Sequence, residues 1–78
     1  MSRVQIDARR LLCPMPVIRL QNRVNELQPG DEVEITCTDP GALNDIPAWC
    51  RINGHTVLAS RQSGNEWIIE VRVGDEAS

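Results

Sequence analysis

Phenylalanine and tyrosine are absent from this 78-residue chain, and Trp49 and Trp67 are its only large aromatic side chains. Stacking platforms for bases are therefore scarce. The formal net charge of −3 also denies the chain the dominant basic surface on which nucleic-acid binders rely, so direct nucleic-acid binding is set aside. No stretch approaches the ~20 consecutive apolar residues of a membrane-spanning helix, and Met1 to Gln5 has no apolar run of the signal-peptide kind. Repeats, linkers and low-complexity tracts are missing too. These absences point to one cytoplasmic domain, residues 1–78, that makes no membrane contact. At this length it buries only roughly 60% of the surface its unfolded form exposes. Three cysteines cannot all pair within one chain, so at least one thiol is free.

What is present is ordered along the chain. With 41% apolar residues and two indoles, the core falls to Val, Ile and Leu. Val4 and Ile6 alternate with Gln5 and Asp7 as a short strand. Pro14 marks the first turn of a helix in which Val17, Leu20, Val24 and Leu27 recur at spacings of three and four, and Pro29 and Gly30 stop it. Val33, Ile35 and Cys37 alternate with Glu32, Glu34 and Thr36 as a second strand, which turns Cys37 inward. Asp39 before Pro40 and Gly41 signals a second helix carrying Leu43, Ile46 and Cys50. Pro47 is expected to kink it, with Asp45 capping a separate short turn. Two closing strands, Thr56 to Arg61 and Trp67 to Val73, are joined through Gln62, Ser63, Gly64 and Asn65. The order βαβαββ predicts an α/β (α+β) two-layer sandwich. A strand–helix–strand unit forces a parallel pair and the final hairpin an antiparallel one, giving a mixed four-stranded sheet with both helices on one face.

The chemistry concentrates on Cys13. It stands before Pro14 and Pro16 at the start of the first helix, where the helix's partial positive charge, with Arg9, Arg10 and Arg19, favours thiolate and lowers the pKa below the ordinary ~8.5. The two prolines remove amide donors from the first turn, so the motif supplies rigidity and exposure rather than dense hydrogen bonding. The plain alternative is a buried core cysteine, but a helix start flanked by prolines and arginines is a poor hiding place. A redox dithiol needs a near partner, and the next cysteines are Cys37 and Cys50. A metal set of Cys37, Cys50 and His55 matches no zinc spacing; His55 reads as a loop residue after Gly54 and Cys50 as core. With a single histidine in the chain no hydrolytic triad is evident. One exposed, activated thiol can still exchange sulfur by displacement.

Cys13, Pro14, Met15 and Pro16 form a Cys-Pro-x-Pro motif that follows a short strand and opens a helix. Asp7 and Leu11 precede it; Leu27, Pro29, Gly30, Asp39, Pro40, Asp45, Ile46, Pro47, Trp49 and Cys50 follow in order. In this pattern, from about Ile6 to Val73, the chain resembles the TusA family, also called SirA-like. The resemblance implies a two-layer sandwich similar to the C-terminal domain of translation initiation factor three. It implies a persulfide on Cys13, supported by Pro14, Pro16, Arg9 and Arg10, and no cofactor or metal. It also implies a cysteine desulfurase or rhodanese as sulfur donor and a downstream sulfur-relay protein as acceptor. The sulfur would serve tRNA 2-thiouridine formation, sulfur oxidation or molybdenum cofactor maturation. Two residues depart from the pattern: Arg10, where many relatives have glycine, and Met15, where tRNA-thiolation carriers often have an acidic residue. Met15 and Ile18 lie off the core stripe and, with Arg19, are expected to form a docking surface for partners. A second function class shares the thiol but not the cargo: a redox-responsive regulator that uses Cys13 as a sensor.

Overall fold

A computed structural model describes residues 3–12 and 14–74. The elements are β1 (Arg3–Ala8), α1 (Met15–Val24), β2 (Glu32–Cys37), α2 (Ala42–Asn53), β3 (Thr56–Ser63) and β4 (Glu66–Arg72). The strands form one sheet in the order β1-β2-β4-β3. β1 and β2 are parallel and in register from Arg3↔Glu32 to Ala8↔Cys37, while β4 runs antiparallel to both β2 and β3. This is the mixed four-stranded α+β arrangement expected from the element order.

Alternation decides which face is buried. Ile6, Ala8, Val33, Ile35, Cys37, Ile69 and Val71 point to one side of the sheet, where Leu20 and Val24 of α1 and Ala42, Ile46 and Cys50 of α2 complete a single core. Both helices therefore cover the same face. The opposite face carries ion pairs across the strands: Arg3 with Glu32 at 2.7 Å, Arg61 with Glu34 at 2.7 Å, and Arg61 with Glu70. Such exposed pairs each add little stability, but they keep this face wet and so fix which side turns inward.

Several local expectations are corrected. Pro16, inside the first turn of α1 behind its N-cap Pro14, is fully buried core rather than only a stiffener. α2 runs unbroken through Pro47, so no separate turn starts at Asp45, whose N–H bonds the Gly41 carbonyl at 3.0 Å within the helix. Ile46 and Cys50, one turn apart and both fully buried, hold the helix across the hydrogen bond that Pro47 cannot make. The hairpin is tighter than expected. Ser63 pairs with Glu66, so β3 reaches Ser63, β4 begins at Glu66, and the loop is Gly64 and Asn65 alone. Gly64 at φ +64° supplies the positive φ that a type II′ turn needs at its first central position.

Candidate functional site

The parallel β1 and β2 end side by side at Ala8 and Cys37, and each then leads into a helix. Both helix N-termini thus lie at the same end of the molecule, beyond the carboxyl ends of these strands, where open α/β sheets place their sites. Their partial positive charges converge there. Cys13 lies outside the described residues, and its place is marked by its sequence neighbours Leu12 and Pro14.

The segments around Cys13 are tied down by backbone bonds. Leu11 N–H bonds the Ala8 carbonyl at 3.4 Å and Met15 N–H bonds the Leu12 carbonyl at 2.8 Å, while Val17 and Ile18 both donate to the Pro14 carbonyl at 3.1 and 3.2 Å. Pro14 and Pro16 have no N–H to offer. The first turn of α1 therefore has no spare amide donor among the described residues, and no acidic residue either. Its described residues offer an anion the helix field but no direct backbone hydrogen bond.

The arginines divide into two kinds. Arg9 folds back on Asp7, with its backbone N–H and Nε donating to Oδ1 at 3.0 and 2.9 Å and Nη2 to Oδ2 at 3.1 Å. Those bonds hold the Asp7 carboxyl down at about 2, and they spend most of Arg9's charge locally. Arg10 and Arg19, in contrast, form no ion pair among the described residues; Arg19 Nη1 donates to the Asp7 carbonyl at 3.2 Å. Beside them lie exposed apolar side chains: Leu12 at 73%, Met15 at 44% and Ile18 at 42%. The expected patch of Met15 and Ile18 is thus solvent-facing, and sequence reasoning missed Leu12, its most exposed member. The spacing of three from Leu12 to Met15 to Ile18 was the available signal. An open cleft of about 560 Å³, lined by Asp7, Arg9, Arg10, Thr38, Asn65 and Glu66, adjoins this end.

The other two cysteines belong to the core. Cys37 and Cys50 are fully buried and free, and burial pushes both thiols up to about 11, with the Asp39 carboxylate adding to the rise at Cys37. Neutral-pH iodoacetamide is expected to leave both unlabelled in the folded protein and to label them once urea is added, as peptide mass mapping would show. Equal labelling of Cys50 in the folded state would contradict its place in the core. Among the described residues no cluster of three or more candidate metal ligands occurs.

His55 is no ordinary loop residue. It sits between α2 and β3 but is only 8% exposed, stacks on Trp49 at 4.9 Å between ring centroids, and accepts the Gly74 N–H on Nδ1 at 2.9 Å. Burial pulls its pKa down. This seam and the cavity of about 250 Å³ beside it lie at the C-terminal ends of both helices, away from Pro14 at the start of α1.

The fold, the motif position and the paired prolines agree with a comparison against family descriptions, in which residues 4–73 match Sulfurtransferase TusA. The chain belongs to the TusA family. It is 42% identical to YrkI of Bacillus subtilis over 60 residues, covering 77% of this chain and 80% of YrkI. It is 34% identical to the sulfur carrier protein TusA of Pseudomonas aeruginosa over 67 residues, covering 86% of this chain and 85% of that protein. The longer YrkF of Bacillus subtilis is 35% identical over 75 residues, and the chain spans 40% of its length.

Proposed function

We propose that this protein is a sulfur carrier that holds a transferable sulfur atom as a persulfide on Cys13. The observation that supports the reading most is the family match over residues 4–73, which includes the Cys-Pro-x-Pro motif at a helix start. The Cys13 thiolate attacks the outer sulfur of a donor persulfide. A new S–S bond forms as the donor's S–S bond breaks, and the donor cysteine leaves as thiolate. An acceptor thiolate then attacks the outer sulfur on Cys13 in the same manner, and Cys13 departs as thiolate. Each step is a displacement without net oxidation, so neither cofactor nor metal is required. The donor is a cysteine desulfurase or rhodanese and the acceptor a downstream relay protein, both in the cytoplasm. The chain acts as a covalent participant rather than as a stand-alone enzyme.

Pro14 and Pro16 stiffen the turn behind Cys13, and Pro16 does so from within the core. Leu12, Met15, Ile18, Arg10 and Arg19 form the surface a partner meets on its way to the sulfur, an apolar centre with a cationic rim. Incubation with a cysteine desulfurase and cysteine, followed by intact-mass spectrometry, is expected to show a reducible gain of one sulfur atom that Cys13→Ser abolishes. A wild-type protein that gains none from a desulfurase, and none from a rhodanese charged with thiosulfate, would leave the redox-regulator reading as the better one.

A further inference from the structure

Arg10 is the only non-glycine among the described residues with a positive φ, at +70°. In that left-handed region a Cβ crowds the neighbouring carbonyl, and glycine is the residue that sits there without strain. The backbone is held in place from β2's side: Arg10 N–H donates to Thr38 Oγ1 at 2.8 Å. The side chain, in contrast, is held by no hydrogen bond or ion pair among the described residues. Arg3, Arg9, Arg23 and Arg61 each pair with a carboxylate, whereas the exposed Arg10 guanidinium makes no ion pair or hydrogen bond with any described residue. A strained residue whose side chain meets no partner among the described residues points to a use outside them.

We infer that Arg10 is a specificity-determining contact for the protein that meets Cys13, with its guanidinium pairing with a carboxylate on that partner and Thr38 latching its backbone. The inference rests on the carrier reading and deepens it. Donor and acceptor must both reach the same sulfur from this end of the molecule, so the contact is read on loading. It also has a signature that a structural role lacks, because removing the side chain relieves strain while weakening the encounter. An exposed charge contact of this kind acts mainly on association and fades as salt rises.

The test compares wild type, Arg10→Gly and Arg10→Lys, each measured for thermal unfolding and for the rate of sulfur loading from a cysteine desulfurase. Arg10→Gly is expected to keep its unfolding midpoint or gain up to about 5 °C, and to load about tenfold more slowly at low salt, with the gap closing at high salt. Arg10→Lys, which keeps the charge, is expected to retain most of the rate. Thr38→Val is expected to lower the midpoint in wild type and to do so less in the Arg10→Gly background, where no strain needs latching. Loading by Arg10→Gly at the wild-type rate, a midpoint that falls together with the rate, or Arg10→Lys as slow as Arg10→Gly would each overturn the inference. Failure of the carrier reading is told apart, since wild type itself would then take up no sulfur.

Discussion

Leu20→Ala is expected to remove roughly 40–50% of the protein's folding free energy and, with it, the ordered start of α1. Leu20 is fully buried and, with Pro16 and Val24, is one of three buried residues by which α1 is anchored. A Leu→Ala change at such a site costs about 2–5 kcal/mol, because the lost transfer energy is joined by the cavity left behind. A domain of this length has a total stability on the order of 4–12 kcal/mol, so the cost is a large share of the whole. Val17, only half-buried, cannot replace the anchor. Urea unfolding would show the midpoint falling sharply at unchanged slope. Ile18→Ala, two residues from the anchor on the same helix but 42% exposed, is the internal comparison and is expected to cost under about 1 kcal/mol. Similar losses for the two would mean that α1 packs differently from this account.

The second large effect is expected at the opposite end of the molecule. A Cβ built on Gly74 would lie 1.8 Å from the Gly54 carbonyl oxygen and 2.9 Å from its carbon, both backbone atoms that no side-chain rotation can clear. Gly54 cannot yield easily, because it ends α2 in the left-handed conformation at φ +82° and so turns the chain into β3. Gly74→Ala must therefore push the end of β4 away and break the bond from Gly74 N–H to His55 Nδ1. We expect a loss of about 2–4 kcal/mol, on the scale of other backbone and overpacking changes, measurable as a drop in the unfolding midpoint. His55 gives the seam a pH signature. Its pKa is lowered in the folded state, so below about 6.5, its ordinary value, the unfolded chain binds more protons and stability falls with pH. The Asp7 carboxyl, held at about 2, adds its own loss only at lower pH, below its ordinary value of 3.8. An alanine variant as stable as wild type would show that the Gly54–Gly74 approach is not tight.

These two sites illustrate what a sequence can and cannot convey. The stripe of Leu20 and Val24, and the alternation of Val33, Ile35 and Cys37, are period signals, and burial follows them closely because a half-buried helix or strand has no other way to face a core. From the sequence Pro16 reads only as a stiffener, since nothing local says that a proline in a first turn also fills space beneath the helix. Gln62 and Ser63 are polar and turn-like and so read as loop, yet on the exposed edge strand polarity carries no cost and pairing extends through them. The Gly54–His55–Gly74 contact joins residues nineteen and twenty positions apart, and no local pattern announces such a pairing. At the candidate site the motif, the arginines and the apolar pair Met15 and Ile18 were legible. The division of the arginines was not, because whether Arg9 or Arg10 keeps its charge free depends on where Asp7 and Thr38 fall in the fold.

The measurement that tests the central claim most directly follows sulfur out of the protein as well as in. Wild type is loaded with radiolabelled sulfur by a cysteine desulfurase, separated from the donor, and mixed with an acceptor persulfide-relay protein. The account predicts that label bound through a reducible bond to Cys13 moves to the acceptor thiol in proportion to the label lost, and that Cys13→Ser neither takes it up nor passes it on. Label that stays on the wild-type protein, or that is taken up equally by Cys13→Ser, would contradict it.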